Sequence, residues 1–477
     1  MRIRADWVTL LGLSCLSATQ GQEKGFQPER RVRAPSRIEW EFATDPGTAV
    51  PASYDSRRQR YQLYVPGDYA ATRAWPLVVS VPPGDDPTGW RAWKNPCEDV
   101  GCLFASPFAA GNACPPAQRL RLVLDVLDDV RREYRIDPEQ TYLVGQGGGV
   151  EPAARLAVAF PEYVAGLVAI GADVPLPGMP HLRYRMRDRL SVALIAGKAD
   201  PARARQEKYL IPLLDELGVR SKFWLEDDGP GRLPSPKTLA EVLEWLRDDL
   251  KRRRADAETN GLDAAETPTR RQLAERSISV AERELGGPAK LARAAARLEW
   301  VAARCGEAPG TEKAAELLRR LKEDDARSSR LLKQTGAELR AHLRARARAL
   351  EGLGDFDASR RAWNGLALLS EGDEAKAARA GERRVAGQLA LTPYLGITFA
   401  ASTTTVKGVA PGGPADLAGV QAGDDVEAFD KANVATLGEL RERLRGRRPG
   451  EELPLGVRRA GKPVTLTVRL GALPAEG

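Results

Sequence analysis

Nucleophilic catalysis is the first chemistry to consider, because it needs only a nucleophile, a base and a group that orients the base. A glycine-rich turn at residues 145–149 follows a short apolar run and precedes a helix-like segment. Asp200 follows a second apolar run. A serine or cysteine nucleophile needs a base within hydrogen-bond reach. The chain supplies two histidines for that role, His181 and His342.

Other candidate nucleophiles have no predicted base. Ser80, Ser106 and Cys114 would each have to use an aspartate or a lysine, and nothing in their spacing indicates one. Asp227 and Asp228 are adjacent, so in an extended loop their side chains point apart and do not indicate paired acid–base work. The residues alone therefore assign no catalytic group.

Cysteine usage is sparse, with five in 477 residues. Cys97, Cys102 and Cys114 form a cluster. In an oxidising compartment one bridge among these three is one interpretation, and buried apolar cysteines are the other. Zinc usually takes histidine or further cysteine ligands, and neither histidine lies near the cluster. We predict no metal and no cofactor.

Strand-like and helix-like segments alternate between residues 38 and 250. Short apolar runs of strand length occur at 77–81, 141–144, 166–170, 192–196 and 222–225. Between them, apolar residues recur at spacings of three and four, as in 120–134 and 239–250, which is typical of amphipathic helices. This alternation predicts an α/β domain with a parallel sheet covered on both faces.

Several of these stretches resemble one family in its own order. They are YQLYVP at 61–66, WPLVVSV at 75–81, YRIDPEQTYLVG at 134–145 and AGKAD at 196–200. Residues 60–250 resemble the α/β-hydrolase fold, in the esterase branch related to polyhydroxybutyrate depolymerases and feruloyl esterases. The resemblance implies a Ser-Asp-His triad with the serine in a G-x-S-x-G turn.

The positions that match this triad are degenerate. Gly147 stands where the family has its serine, and Asp200 matches the acidic member. The loop that would carry the histidine, 226–234, reads EDDGPGRLP. The oxyanion loop begins Pro82-Pro83, and proline has no N–H to donate. The resemblance therefore implies a hydrolase fold that has lost its chemistry, with an esterase of unorthodox active site as the alternative.

The middle of the chain changes composition. Residues 251–268 are polar and predict a linker. Residues 269–390 are rich in Ala, Leu, Arg and Glu, and predict helices. The segment 353–370 is similar to a tetratricopeptide helix-turn-helix at Gly354, Phe356, Ser359, Trp363 and Ala367. A generic helical bundle is an equal alternative.

The C-terminal part carries motifs of a peptide-binding module. These are YLGI at 394–397, VKGVAPGGPADLAG at 406–419, GDDV at 423–426 and RRAGKPVTLTVRL at 458–470. Residues 391–473 resemble a PDZ domain of the kind found in HtrA-type proteases. The resemblance implies a loop that binds a peptide's terminal carboxylate while the peptide adds a strand to the sheet edge.

The predicted groove has two sides. Tyr394, Leu395, Gly396 and Ile397 form the carboxylate loop, and the amides of the last three would face the carboxylate. The flanking helix is predicted to start at Thr436, with Glu439 completing its cap. Its apolar face contains Leu437, Leu440 and Leu444, of which Leu440 is the groove candidate.

Charge and the N-terminus bear on partners and location. The net charge of +7 comes from 72 basic and 65 acidic residues, and the aromatic share is 6%. These mixed charges do not indicate a nucleic-acid partner. Residues 1–20 read as a secretory signal peptide, with Arg2 and Arg4 before an apolar run too short to span a membrane. We expect export to the periplasm or outside the cell. Cys15 is a poor match to a lipidation signal, and no other run predicts a membrane helix.

Together these patterns predict an exported, non-catalytic protein-binding or scaffold protein. Its PDZ domain, residues 391–473, would bind C-terminal or extended peptides. The degenerate hydrolase domain, residues 38–250, would serve as a ligand-binding or structural module. An envelope structural protein without a specific ligand is a further alternative.

Overall fold

The computed structural model describes residues 23–39, 49–87, 89–178, 180–227, 232–260, 269–306, 310–400 and 403–473. The predicted signal peptide, residues 1–20, lies outside these ranges. Contacts divide the chain into two units, each described by itself. The first contains Met1–Asp200, Trp224–Ile278 and Trp300–Glu312; the second contains Pro201–Phe223, Ser279–Glu299 and Lys313–Gly477.

The described N-terminal residues build an eight-stranded sheet. Its strands β1 to β8 are Gly25–Arg31, Arg60–Val65, Trp75–Val81, Leu103–Pro107, Ile136–Gln146, Gly166–Ile170, Ser191–Gly197 and Arg220–Glu226. Their order in the sheet is β1-β2-β4-β3-β5-β6-β7-β8. The predicted α/β class is confirmed. The sequence predicts that this domain starts at residue 38. The first strand of the sheet starts earlier, at Gly25.

The sheet is mixed rather than wholly parallel. Strands β3 to β7 pair in parallel, whereas β1 with β2 and β2 with β4 are antiparallel. Every residue of β3, β4 and β6 is buried. Since successive side chains on a strand point to opposite faces, these strands are covered on both sides. Sequence patterns missed β1, because its charged GFQPERR lacks an apolar run.

Helices alternate with these strands along the chain and continue after the last strand. In chain order, α1 to α10 are Trp90–Val100, Pro116–Glu133, Val150–Ala159, Pro180–Arg189, Arg203–Arg205, Ile211–Glu216, Pro236–Arg247, Leu250–Asn260, Arg270–Leu285 and Leu291–Arg304. Helices α2 and α7 occupy the stretches whose apolar spacing indicated helices. Their apolar faces are buried.

Buried aspartates on α2 fasten the segment that precedes β2. The backbone N–H of Ser36 donates to Asp125 at 2.7 Å, and that of Arg37 donates to Asp128 at 2.8 Å. The guanidinium of Arg37 adds a second contact to Asp128 at 2.8 Å. Buried carboxylates are costly unless they are paired and hydrogen-bonded. Here charge and backbone donors together satisfy them.

The predicted linker, residues 251–268, is partly wrong. Its first residues belong to α8, while 261–268 lie outside the described residues. The reason is tertiary: Arg253 is 1% exposed, with its Nε 2.9 Å from Glu139 Oε2. Arg189 also donates to Glu139, at 2.5 Å. A polar stretch has thus become a helix because one of its arginines pairs with a buried carboxylate.

The second unit contains the helical middle. Helices α11 to α14 are Thr311–Glu323, Asp325–Leu353, Phe356–Leu369 and Gly372–Leu391. Gly354, at φ +83°, ends α12 in the left-handed region. The Ser359 hydroxyl donates to Ala347 O at 2.7 Å, and Trp363 packs in the apolar cluster that these helices share. The helices are confirmed, and the tetratricopeptide resemblance stays a prediction.

The C-terminal part of this unit is a small, mainly antiparallel β structure. Strands β9 to β16 are Pro393–Tyr394, Ile397–Phe399, Val406–Val409, Asp425–Phe429, Ala432–Asn433, Glu452–Arg459, Lys462–Arg469 and Gly471–Ala472. Helix α15, Pro414–Leu417, follows β11, and helix α16, Leu437–Arg445, follows β13. The apolar core of this β structure contains Val426, Phe429 and Leu455.

No helix among the described residues is long and apolar enough to cross a membrane. No group of three or more His, Cys, Asp or Glu side chains in that part of the chain is arranged to hold a metal ion.

Candidate functional sites

The predicted nucleophile turn has the expected backbone. Strand β5 ends at Gln146, a 3₁₀ turn covers Gly147–Gly149, and α3 begins at Val150. Gly147 has φ +50°, in the left-handed region that side chains rarely adopt. The sharp strand–turn–helix geometry of a nucleophile elbow is therefore present, with no side chain at its apex.

The neighbouring glycines are required by packing, and Gly147 is not. A Cβ on Gly145 would lie 2.3 Å from Val150 Cα, and one on Gly149 would lie 2.1 Å from Val81 O. A Cβ on Gly147 would meet Pro83 Cβ at 3.8 Å, an ordinary contact. The site has room for a side chain that the sequence does not supply.

Arg119, which the sequence analysis did not single out, holds the elbow to the loop after β3. This residue on α2 is 6% exposed. Its guanidinium donates to Pro82 O and Gly148 O, each at 2.8 Å, and to Asn112 Oδ1 at 3.3 Å. Burial lowers the pKa of Arg119. The cation is used in bonding backbone carbonyls of this region, which is a structural role.

The loop that would form the oxyanion hole is also engaged as an acceptor. Pro82 O accepts from Arg119, and Pro83 O accepts from Asn112 N at 2.9 Å. Neither proline has an N–H to offer. The missing proline N–H groups are visible in the sequence. The structure adds that the carbonyls of Pro82 and Pro83 already accept hydrogen bonds.

Asp200 lies at the end of β7, as the resemblance implied. Its backbone N–H donates to Gly197 O at 3.0 Å. Its carboxylate lines a cavity of about 10 Å³, together with Glu226 and Arg232. Arg232 belongs to the loop where the family has its histidine, and residues 228–231 of that loop lie outside the described residues. An arginine, which stays protonated, cannot act as the base that a triad needs.

The two histidines occupy other places. His181 is buried on α4, with its ring centre 4.9 Å from that of Trp300. His342 lies on α12, within the helical middle. His181 precedes Asp200 in the chain, and His342 comes after α7. Neither histidine therefore lies in the loop between Asp200 and α7.

The predicted carboxylate loop has the backbone that amide recognition needs. Gly396 has φ +76°. Leu395 O accepts from Ala415 N and Gly396 O accepts from Ala410 N, each at 2.8 Å. These two bonds engage the carbonyl oxygens of Leu395 and Gly396 and not their N–H groups. A left-handed glycine flanked by successive N–H groups is the kind of backbone concavity that binds anions.

Strand β10 has an available edge. It pairs with β11 alone among the described residues, in a two-stranded sheet. Ile397 lies opposite Val409, next to the hydrogen-bonded Gly396–Ala410 position. Because hydrogen-bonded and non-hydrogen-bonded pairs alternate in antiparallel ladders, the N–H and C=O of Ile397 point away from β11. They are placed to pair with an added strand.

Helix α16 starts as predicted. Thr436 Oγ1 accepts from Glu439 N at 3.2 Å, and Glu439 Oε2 accepts from Ala435 N at 2.9 Å. Leu440 is 2% exposed and lies in the core of this region. Leu437 and Leu444 are only partly buried against that core. Because their side chains are more exposed, Leu437 and Leu444 are better placed than Leu440 to contact a ligand.

Comparison with known proteins gives a family match and a similarity to a named esterase. Residues 393–470 match the PDZ domain family. The Nocardia uniformis subsp. tsuyamanensis protein NocK, which is named as an esterase, is 32% identical over 78 residues, which is 16% of this chain and 22% of NocK.

Among solved structures, two similar proteins have lower sequence identity but cover more of this chain. A thermostable esterase is 21% identical, with a TM-score of 0.32, over 40% of this chain and 59% of that one. The HtrA-type protease AlgW with a decapeptide is 23% identical, with a TM-score of 0.18, over 21% of this chain and 35% of that one. The chain thus contains a PDZ domain at residues 393–470. It spans less than two thirds of NocK, the thermostable esterase and AlgW.

Proposed function

We propose that this protein binds peptide segments of partner proteins through its PDZ domain and that it does not hydrolyse esters. The observation that carries the proposal is the outward-facing edge of β10 beside the left-handed Gly396. A peptide would add a strand to this edge, with its terminal carboxylate at the amides of Leu395, Gly396 and Ile397.

The side chains around that edge fit an apolar ligand residue. Ile397 and Phe399 on β10, and Leu437 and Leu444 on α16, are partly buried and pack against the PDZ core. A peptide's apolar side chain would complete their burial, which contributes about 25 cal/mol per Å² of apolar surface removed from water. We therefore assign ligand contact to Leu437 and Leu444 before Leu440.

The hydrolase-like part supports the non-catalytic half of the proposal. Gly147 offers no nucleophile at an otherwise well-formed elbow, and Arg119 bonds the carbonyls around it. The loop where the family has its histidine, residues 226–234, contains none. The domain would act as a structural module or hold a ligand. Export, through residues 1–20, completes the proposal and rests on the sequence pattern.

Peptide binding is tested by fluorescence anisotropy. Peptides selected from a library of free C-termini would be compared with the same peptides bearing a terminal amide. We expect Gly396→Val to weaken binding at least tenfold, because a β-branched side chain is strained at φ +76° and narrows the loop. Gly461→Val is the matched control, since Gly461 has φ +80° in the β14–β15 turn with nothing nearby. Equal loss in both variants, or equal affinity for amide and acid, would count against carboxylate recognition.

The enzyme alternative is tested with short p-nitrophenyl acyl esters. We expect no turnover above blank from the natural protein, and none from Gly147→Ser, because the restored hydroxyl has no histidine to activate it. Saturable turnover by the natural protein that survives repurification would establish a hydrolase with a different site. That result would leave the peptide-binding half of the proposal standing.

A further inference from the structure

Helix α1 ends in a motif that brings two specific positions together. Gly101, at φ +67°, follows the last helical residue. Cys102 N donates to Cys97 O at 2.8 Å, and Gly101 N donates to Glu98 O at 3.3 Å. This pair of bonds, one spanning six residues and one nested inside it, defines a Schellman motif.

The motif's two touching positions are both cysteines. In a Schellman motif the two residues joined by the six-residue bond commonly also contact each other through their side chains; here these are Cys97 and Cys102. Both are fully buried, in one apolar cluster with Trp93 and Phe104. The Cys102 thiol donates to Leu103 O at 3.1 Å. The bond from Cys102 N to Cys97 O brings the two residues together at the end of the helix.

We propose that Cys97 and Cys102 form a disulfide when the chain folds under oxidising conditions. The two thiols lose two protons and two electrons as the S–S bond forms. A small disulfide such as oxidised glutathione accepts them and becomes two thiols. The bond would join the end of α1 to the start of β4 inside the apolar core.

The bond forms during folding. In the folded chain both thiols are inaccessible, and burial raises the pKa of the Cys97 thiol well above its ordinary value. Exchange requires a thiolate and access to it, so the finished fold resists both oxidation and reduction. This makes the pair a structural staple.

The other described cysteines face different surroundings. Cys114 is partly exposed, and its Sγ lies 3.8 Å from Pro115 O. Cys305 is buried after α10, far along the chain. Three pairings are possible among Cys97, Cys102 and Cys114, and the motif selects one of them. Cys114 is left as the thiol that an alkylating reagent reaches first.

The test uses the full chain refolded in a mixture of oxidised and reduced glutathione, then alkylated in denaturant. Trypsin cuts after Lys94 and Arg119, and a glutamyl protease cuts after Glu98, between the two cysteines. The expected product is fragment 95–98 joined to fragment 99–119, with Cys114 alkylated and Cys97 and Cys102 unmodified. Cys114→Ser should give the same joined product.

Other products overturn the inference. A free, alkylated 95–98 fragment would show that Cys97 is unpaired or that Cys102 bonds to Cys114. A joined product with Cys102 alkylated would show pairing of Cys97 with Cys114. Cys97→Ala checks the assignment independently, since it should leave Cys102 alkylated; protection of Cys102 in that variant would contradict the pairing.

Discussion

Two glycines in this molecule adopt the same unusual backbone and have opposite consequences. Gly147 at the hydrolase elbow has φ +50°, and Gly396 in the PDZ loop has φ +76°. At the elbow the turn serves to present a side chain, so glycine keeps the shape and removes the chemistry. In the loop the backbone amides themselves are the binding groups, so glycine is the appropriate residue. A preserved backbone therefore indicates a function only when backbone atoms, and not a side chain, perform that function.

The largest effect is expected from adding one methyl group where the elbow is tightest. Gly149→Ala places a Cβ 2.1 Å from Val81 O at a φ of −72°, so its cost is purely steric. We expect a loss of about 3 kcal/mol or more in the free energy of unfolding. Gly147→Ala, the partner variant, has space but a strained φ, and should cost roughly 1–2 kcal/mol. Urea denaturation measures both, and a reversed order would refute the packing account.

The next effect concerns the cation under the elbow. Arg119→Met keeps the aliphatic stem but leaves Pro82 O and Gly148 O without their donor. Each of the two unsatisfied buried acceptors costs at least about 1 kcal/mol, so we expect a loss of at least about 2 kcal/mol of stability. Arg155→Met is the control, because its surface ion pair with Glu151 contributes about 0.5 kcal/mol at most. Similar unfolding midpoints for the two variants would show that Arg119 is dispensable.

Acid should weaken the hydrolase-like part through Asp128. Burial alone would raise the pKa of Asp128, but the hydrogen bonds from Arg37 outweigh it and hold the pKa below its usual range. Because the folded pKa lies below the unfolded value of about 3.9, the stability it contributes is present above that value. This contribution is lost as pH falls through the folded pKa.

Asp128→Asn should therefore flatten the acid limb of stability against pH, by on the order of 1–2 kcal/mol. Tryptophan fluorescence during urea unfolding reports this region, since residues 391–473 contain no tryptophan. Asp424→Asn is the counterpart in the PDZ domain, where the hydrogen bond from Arg459 holds the pKa of Asp424 below its usual range. It should leave that fluorescence transition unchanged; an unchanged acid limb in Asp128→Asn would contradict the assignment.

The smallest effect is expected at the helix beside the groove. Thr436→Ala removes the cap on Glu439 N and should cost about 1 kcal/mol of PDZ stability. Thr436→Ser keeps the hydroxyl and should stay close to the natural protein. Circular dichroism of thermal unfolding compares the two, and an equal loss in both would show that the methyl group, not the cap, is what matters.

Local patterns were predictable from the sequence, and long-range pairings were not. The strands at 77–81 and 192–196 are apolar runs, and the cap at Thr436 depends on a neighbour three residues away, so both were found. The polar composition of α8 predicts a linker, because composition does not reveal the burial of Arg253 against Glu139. Arg119 was missed because its partners are backbone carbonyls, which no residue type reveals. Periodicity places Leu440 on the apolar face of α16. Periodicity alone does not tell whether a residue of that face lies in the core or lines the groove.

The burial of Arg253 also decides where the N-terminal fold can be cut free. Its guanidinium donates to Pro161 O at 3.2 Å and to Val164 O at 3.3 Å, besides meeting Glu139. A gene truncated after Leu250 would discard this cation and open the interior around those carbonyls to water. A protease that trims α8 should therefore destabilise the N-terminal sheet, because the bonds from Arg253 are lost with the helix.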